Sequence, residues 1–290
     1  MKLYCEAGPN YTRFAVFART AMAPNDRRWF MKTLAATAAA GAIAHSQGSS
    51  AMQTSTTNPE SRVPNPESRI KALVFDAYGT LFDVFSITSL CEELFPGHGT
   101  ALAAMWRAKQ LQYSVLRSMM NRYKDFWQVT QDGLVYSAHS LTLDLTADKR
   151  TRLMNAYLTL ASFPDVKPGL QRLRAQGLRL AILSNGEPKM LQSAAKSAGI
   201  ADLLDAIISV DEVKVFKPSP RVYERASSHL KIAKSDIGFV SSNNWDVNGA
   251  GSAGLTAFWI QRAAAEPPEE LDYPASRVVH AITDLPALVF

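Results

Sequence analysis

One short segment carries the main signal of this sequence: Val74-Phe75-Asp76-Ala77-Tyr78-Gly79-Thr80-Leu81-Phe82-Asp83. An apolar run from Ile70 to Phe75 ends in a carboxylate and a glycine-containing turn, which is typical of a buried parallel strand. Open α/β folds bind ligands at the carboxyl edge of the sheet, so Asp76 is predicted to lie there. Two residues on, where a second carboxylate could share a cation, stands Tyr78. The pattern favours a nucleophile for a carbon substrate over a metal-assisted phosphate site.

The rest of the chain predicts an α/β fold of two parts. After Pro164, helical and strand patterns alternate, with strands expected at 178–183, 206–210, 237–240, 256–260 and 278–282. This alternation predicts a doubly wound, Rossmann-like parallel sheet with helices on both faces. Residues 85–162 are helical throughout, with breaks expected at 96–99 and 131–133. We therefore expect a core formed by 70–84 and 163–290, and a helical-bundle cap of about four helices at 85–162.

The first 69 residues predict an export leader and a linker. Arg27-Arg28-Trp29-Phe30-Met31-Lys32 precedes a short apolar run, and Ala42-Ile43-Ala44 offers a cleavage site. This order resembles a twin-arginine signal, so residues 1–44 are predicted to direct the protein to the periplasm. Residues 45–69, rich in Ser, Thr, Asn and Pro, predict a disordered linker. The alternatives are a basic start before a short helix in a cytoplasmic protein, and a true start at Met22.

The composition and charge limit the kinds of molecule that the protein is expected to bind. Of 290 residues, 47% are hydrophobic and 20% charged, as in ordinary globular proteins, and the net charge of +5 is scattered along the chain. The absence of a basic stripe argues against nucleic acid, and no segment is apolar enough to predict a membrane span. Cys5 would leave with the leader, so Cys91 would remain unpaired and no disulfide or cysteine metal site is expected. A mildly anionic small substrate fits this balance.

Polar residues follow the predicted strands and should meet at one edge of the sheet. They are Asp76, the pair Ser184-Asn185 and the run Ser241 to Asp246, joined by Lys217 from a loop. Each residue alone could be a simple helix or turn cap. The apolar neighbours of Lys217 favour a buried lysine paired with a carboxylate, which would keep Asp76 ionised without a metal.

Other kinds of site have weaker support. The sequence contains no G-x-S-x-G elbow and no histidines at metal-ligand spacing. Residues 249–254 match G-x-G-x-x-G, but the following strand ends in Gln261-Arg262 rather than an acid. These glycines are therefore interpreted as close packing of a helix on the sheet.

With these residues in view, the chain from about 70 to 285 resembles the haloacid dehalogenase superfamily and, within it, the L-2-haloacid dehalogenases. The motifs that carry the resemblance are 75–83, Trp106-Arg107 with Lys109-Gln110-Leu111, 183–186, Lys217-Pro218 with Tyr223, and 241–246. The resemblance implies hydrolysis of short-chain L-2-haloalkanoic acids to D-2-hydroxy acids, with no metal and no cofactor.

The resemblance also implies a role for each site residue. Asp76 would attack the α-carbon and form an aspartyl ester, which water activated by Asp246 would then hydrolyse. Further roles are implied for residues that hold halide or substrate and for residues that support the machinery: Arg107, Asn185, Tyr78 and Trp245 around the halide, Thr80, Ser184 and Lys217 at the substrate carboxylate or Asp76, and Tyr223, Ser241 and Asn243 behind Lys217 and Asp246.

Two competing functions remain at this stage. A phosphatase of the same fold acting on a small phosphate ester would need Mg²⁺ acids, against which Tyr78 argues. A protein that binds small carboxylates without turnover would not need a second carboxylate at Asp246. Ala108 stands where some relatives carry a longer polar residue, which could alter the preferred chain length. A homodimer is expected from the same resemblance, whereas the preferred halogen is left open.

Overall fold

A computed structural model of the protein describes residues 70–263 and 266–289. The predicted leader 1–44 and linker 45–69 lie outside the described residues, as do Ala264, Ala265 and Phe290. Within the described ranges, no helix combines the length and the apolar character that crossing a membrane requires.

The described core is a six-stranded parallel sheet. Its strands are β1 (Ala72–Phe75), β2 (Arg179–Ser184), β3 (Ala206–Ser209), β4 (Ile237–Ser241), β5 (Thr256–Ile260) and β6 (Arg277–Val279). They lie in the order β3-β2-β1-β4-β5-β6, and every neighbouring pair is parallel. β1 is central and fully buried, as its unbroken apolar sequence requires. The predicted α/β fold class is confirmed.

Helices cover this sheet and form the cap. Five α-helices lie between β1 and β2, and the first four form the cap: α1 (Thr88–Leu94), α2 (Gly99–Met119), α3 (Phe126–Ser140) and α4 (Ala147–Ala156). The remaining α-helices alternate with strands: α5 (Val166–Ala175), α6 (Pro188–Ser197), α7 (Pro220–Leu230) and α8 (Asn244–Ser252). Capping side chains begin several of them; for example, Asp125 accepts a hydrogen bond from the backbone N–H of Gln128 at 2.8 Å.

Two local predictions are wrong. The break expected at 131–133 does not occur, because Gly133 lies inside α3 and lets it approach α2: a Cβ there would lie 3.2 Å from the backbone nitrogen of Gln110. The last strand was expected at 278–282, but it ends at Val279 and a 3₁₀ segment follows from Ile282. The Asp284 carboxylate accepts the backbone N–H groups of His280 and Ala281 at 3.0 and 2.9 Å, which starts that turn.

The glycines of the 249–254 motif serve packing on α8. A Cβ on Gly249 would lie 2.5 Å from the hydroxyl of Tyr223 and 2.8 Å from Cβ of Pro218. Gly254 has a φ of +90° and turns the chain toward β5. The close approach at Gly249 is therefore to α7 and the loop before it, beside the carboxyl edge of the sheet, more than to the strands.

Two groups of contacts join the cap to the core at this edge. On one side, the two segments that connect the cap to the core pair through an antiparallel bridge between Phe82 and Ser162, and the N–H of Asp83 donates to Ala161 O at 2.8 Å. On the other side, Tyr123 between α2 and α3 donates its hydroxyl to Asp211 at 2.8 Å. The backbone N–H of Phe216 donates to Ser118 Oγ at 3.0 Å. The cap is thus held over the ends of β1, β2 and β4.

Candidate active site

Asp76 is the residue that follows β1, and its side chain is buried and held at both oxygens. Oδ2 accepts hydrogen bonds from Thr80 Oγ1 and Asn243 Nδ2, each at 3.1 Å. Oδ1 accepts from Lys217 Nζ, also at 3.1 Å. The turn between Asp76 and Thr80 needs Gly79, whose φ is +96°. The contacts fix the direction of the carboxylate and keep it away from bulk water.

Lys217 joins two buried carboxylates. Its ammonium lies 3.1 Å from Asp76 and 2.9 Å from Asp246, and the side chain is 1% exposed. Burial by itself lowers the pKa of Lys217, but the charges of Asp246 and Asp76 outweigh it and hold that pKa above its usual value. The lysine therefore stays protonated and supplies the positive charge between the acids.

Asp246 lies in the first turn of α8 and is fully buried. Tyr223 donates its hydroxyl to Asp246 Oδ1 at 2.6 Å, and Lys217 donates to Oδ2. Burial raises the pKa of Asp246, and Asp76 adds to the rise, while Lys217 and Tyr223 oppose it. Asp246 is thus more basic than an exposed carboxylate. It lies near Asp76, because the ammonium of Lys217 contacts both. Such a group suits proton removal from water.

Arg107 comes from cap helix α2 and is buried. Its Nη2 donates to the carbonyl oxygen of Tyr78 at 2.9 Å, and its Nη1 donates to Gln110 Oε1 at 2.7 Å. Burial lowers the pKa of Arg107, but an arginine guanidinium remains charged in proteins. The cap therefore brings a second cation to the site, separate from the lysine of the core.

A narrow cleft with about 10 Å³ of free space lies between these groups. Its walls combine apolar and hydrogen-bonding side chains: Asp76, Tyr78, Arg107, Leu111, Phe126, Ser184, Asn185, Asn243 and Trp245. Tyr78 stacks on Phe126 with ring centroids 5.6 Å apart. The hydroxyl of Tyr78 is buried with no hydrogen-bond partner among the described residues, and burial raises its pKa. The lining thus combines the hydrogen-bond donors and the apolar surface that would recognise a small anion with one apolar side.

The structure brings most of the predicted site residues together, with two differences in the supporting contacts. Asn243 contacts Asp76 directly rather than supporting Lys217 and Asp246. Ser241 accepts the backbone N–H of Asn243 at 3.1 Å and so shapes the turn after β4. Ser184 similarly accepts the N–H of Gly186 at 3.1 Å, and Asn185 Oδ1 accepts the N–H of Lys217 at 3.0 Å.

Three supporting roles were not predicted, although Ser242 and Gln110 lie within motifs that carry the family resemblance. The backbone N–H of Ser242 donates to Thr80 Oγ1 at 2.9 Å, so the hydroxyl of Thr80 is aimed at Asp76. Arg262 donates to the carbonyl of Thr80 at 2.7 Å and to Asp165 at 2.8 Å. Gln110 holds Arg107. Gln110 could have been found as a polar residue three positions after Arg107, whereas Arg262 carries no local signal because its partners are distant in sequence.

The site does not fit a divalent cation of the kind that phosphatases of this fold would use. Within residues 70–263 and 266–289, no three His, Cys, Asp or Glu side chains are grouped as metal ligands. Lys217 already lies between the two carboxylates and would repel a cation. Tyr78 occupies the position of a second acid and is almost fully buried. The donor set therefore supports chemistry through side chains alone.

Comparison with known proteins gives a consistent picture. The haloacid dehalogenase-like hydrolase family matches residues 70–254. The chain is 49% identical over 193 residues to an (S)-2-haloacid dehalogenase of Pseudomonas sp. strain YL, covering 67% of this chain and 83% of that protein. The crystal structure of an L-2-haloacid dehalogenase, 45% identical, superposes with a TM-score of 0.74 over 76% of this chain and 98% of the other.

A further solved structure holds a trapped ligand. It is the L-2-haloacid dehalogenase of Xanthobacter autotrophicus with chloropropionic acid covalently bound, 39% identical to this chain with a TM-score of 0.71. The superposition covers 76% of this chain and 98% of the Xanthobacter autotrophicus chain.

Replacing Lys217 by methionine should leave the two buried carboxylates facing each other without a cation. We expect Lys217→Met to lower the free energy of unfolding at pH 7 by about 3–5 kcal/mol. Without that cation the pKa of Asp246, which burial already raises, rises further above its unfolded value of about 3.9, so this contribution to stability is retained at low pH and lost as pH rises through the native pKa. The deficit should therefore shrink toward pH 4 in urea denaturation.

The matched control is Lys214→Met in the same loop. The Lys214 side chain is 59% exposed and forms an ion pair with Asp211 at 2.8 Å. We expect this surface substitution to change the free energy of unfolding by less than about 1 kcal/mol at either pH. Equal losses in the two variants, or a deficit independent of pH, would show that Lys217 does not compensate the acids.

Proposed function

We propose that this chain, which belongs to the haloacid dehalogenase-like hydrolase family, hydrolyses short-chain L-2-haloalkanoic acids to D-2-hydroxy acids. One observation carries the proposal: a buried carboxylate, Asp76, held at both oxygens and facing a small cleft that Arg107 also lines. A family relative with chloropropionic acid covalently bound supports a covalent intermediate of the same kind.

The first step is a displacement at carbon. An oxygen of Asp76 attacks the α-carbon, the new C–O bond forms as the carbon–halogen bond breaks, and the halide leaves with the bonding electrons. A buried carboxylate is a stronger nucleophile than a hydrated one, and the three hydrogen bonds to Asp76 aim it. Attack opposite the leaving group inverts the carbon, so an L-halide becomes a D-hydroxy acid.

The leaving halide needs stabilisation as it gains charge. Arg107 and Asn185 both line the cleft and can donate hydrogen bonds to it, while Trp245 and Phe126 provide apolar walls. Donors held in place before the reaction stabilise developing charge without reorganisation. We assign the substrate carboxylate to Ser184, which also lines the cleft, with Thr80 and Lys217 nearby on Asp76.

The second step hydrolyses the ester of Asp76. Water attacks the ester carbonyl and Asp246 accepts its proton. The bond between the carbonyl carbon and the alkoxy oxygen then breaks, the protonated Asp246 returns the proton to that oxygen to release the hydroxy acid, and Asp76 loses a proton to become a carboxylate again. Thr80, Asn243 and Lys217, which bind the carboxylate, can stabilise the oxyanion that forms at the same atoms. Each turnover consumes one water and releases halide and a proton, and it needs no cofactor.

A phosphate ester is a poorer match to this site. Metal-dependent phosphoryl transfer relies on cations that neutralise phosphate charge, and Lys217 and Tyr78 occupy the places where acids would hold them. No observation on the described residues favours this second function, and none favours a nucleic-acid partner.

The first test of the reaction is loss of its nucleophile. The wild-type protein should release halide from L-2-chloropropionate in the presence of EDTA, whereas Asp76→Asn should retain less than about 0.1% of that rate, since an amide is a very weak nucleophile. The matched control is Asp83→Asn, which changes a carboxylate in the same segment that accepts the N–H of Phe85 at 2.8 Å. That control should keep its rate within about threefold.

Isotope transfer tests the ester itself. After repeated turnovers in ¹⁸O-water, mass spectrometry of the peptide containing Asp76 should show label in the carboxylate, because water attacks its carbonyl. Activity together with an unlabelled Asp76 would falsify the ester pathway and leave direct attack by water.

We further propose that the protein works in the periplasm after twin-arginine export. Arg27-Arg28 with the following Trp29-Phe30-Met31-Lys32 and the short apolar run support this, although they lie outside the described residues. The double substitution Arg27→Lys/Arg28→Lys should abolish periplasmic accumulation, measured by fractionation, while a Lys2→Arg control leaves it unchanged. Undiminished export of the double variant would exclude the twin-arginine route.

A homodimer formed through the cap is the assembly we propose. The end of α2 exposes adjacent apolar side chains that water solvates poorly: Val115, Leu116, Met119 and Met120, with Met119 75% exposed. Light scattering should therefore give twice the chain mass, and Met119→Glu/Met120→Glu should give a monomer. A monomeric wild-type protein at micromolar concentration would contradict the proposal.

A further inference from the structure

We infer that Gln110 and Thr130 are positioning residues that fix which way Arg107 presents its guanidinium to the leaving group. The inference rests on the proposed dehalogenation, because it gives a direction to the cation that would stabilise the halide. Neither residue lines the cleft, and both are fully buried within the cap. Their effect on the leaving halide would therefore pass through Arg107, which lines the cleft.

The four groups form one continuous hydrogen-bonded chain from α2 to α3. Arg107 Nη1 donates to Gln110 Oε1 at 2.7 Å, and Gln110 Nε2 donates to Thr130 Oγ1 at 2.7 Å. Thr130 Oγ1 in turn donates to the carbonyl oxygen of Phe126 at 2.6 Å. Trp106 Nε1 donates to the carbonyl of Thr130 at 2.7 Å and holds the same turn of α3.

The direction of this chain is set at Thr130. A hydroxyl has a single proton, and the proton of Thr130 is engaged by Phe126 O, so its oxygen can only accept from Gln110. The Gln110 side chain must then turn its NH₂ toward Thr130 and its carbonyl oxygen toward Arg107. The reversed amide would place an N–H against the guanidinium and leave buried donors unpaired.

The guanidinium is consequently clamped at two acceptors. Gln110 Oε1 takes Nη1, and the carbonyl of Tyr78, in the turn after the nucleophile, takes Nη2 at 2.9 Å. Two bonds to a planar fork fix its plane as well as its position. The remaining N–H groups of Arg107 are therefore held in a fixed direction relative to the cleft, whereas those of an unrestrained side chain would rotate.

Gly133 makes the chain sterically achievable. A Cβ at this position would lie 3.2 Å from the backbone nitrogen of Gln110 and 3.4 Å from Cδ1 of Trp106. The glycine that seemed to interrupt α3 thus brings α3 close enough for Thr130 to reach Gln110. The same chain also ends on Phe126, whose ring walls the cleft.

A misdirected guanidinium should matter most for the poorer leaving group. As the poorer leaving group, chloride depends more than bromide on a hydrogen-bond donor that stabilises its developing charge. A misdirected guanidinium should therefore slow the chloride reaction more. A purely structural defect would lower both rates alike. The ratio of the two rates therefore separates positioning from stability.

The test measures kcat/KM for L-2-chloropropionate and L-2-bromopropionate, because this parameter reports the displacement step. We expect Thr130→Val and Gln110→Met to lower the chloride value about 10- to 100-fold, and the bromide value several times less. Thr130→Ser keeps the hydroxyl and should restore both values to within about threefold of wild type. Bromide ion should also inhibit Thr130→Val less strongly than the wild type.

The matched control is Ser137→Ala. Ser137 is a buried hydroxyl on α3 that donates to Gly133 O at 2.8 Å, one helical turn back, as Thr130 does, but it forms no hydrogen bond with the side chains of Gln110 or Arg107. It should leave the chloride-to-bromide ratio unchanged even where it lowers the melting temperature.

Either of two results would overturn the inference. One is chloride and bromide rates for both Thr130→Val and Gln110→Met within twofold of wild type; the other is an equal fall of the two rates, matched by Ser137→Ala. Failure of the proposed function has a different signature, since the wild-type protein would then release neither halide.

Discussion

The structure depends on one constraint, which is that two carboxylates are buried next to each other at the end of a sheet. Removing a charged carboxylate from water costs several kcal/mol, and two such groups also repel each other. The ammonium of Lys217, at 3.1 Å from Asp76 and 2.9 Å from Asp246, compensates both. Because the ammonium already bridges the two acids, the same interaction that stabilises the site also supplies the positive charge that a metal would otherwise provide.

The two cations of the site have different roles, and one comes from the core and the other from the cap. Lys217 belongs to the core and serves the acids, while Arg107 comes from the cap and faces the cleft. Its guanidinium is bound to the turn after Asp76 through the carbonyl of Tyr78. Packing of the cap on the core therefore aligns the group that would stabilise the leaving atom with the group that attacks. It also keeps water from competing with the nucleophile.

Much of this arrangement could be predicted from the sequence because parallel strands end at a common edge. Strand patterns alone placed Asp76, Ser184 and the 241–246 run together, and the apolar neighbours of Lys217 indicated a buried cation. The helical cap was recognisable from its period, but Gly133 was misinterpreted as a break. A glycine has the same appearance in a sequence whether it ends a helix or admits a neighbouring one, and only the position of α2 distinguishes the two cases.

Local sequence patterns predict the strands and the chemical groups at their ends. This is possible because an apolar run and the polar residue that ends it are neighbours along the chain. Which oxygen of Asp76 meets which donor, how Arg262 supports Thr80, and how Thr130 orients Gln110 toward Arg107 became visible only in three dimensions. Hydrogen bonds depend on distance and direction between atoms that are far apart in sequence, and residue identity does not encode either. For Gln110 and Thr130, the packing of α3 on α2 sets both.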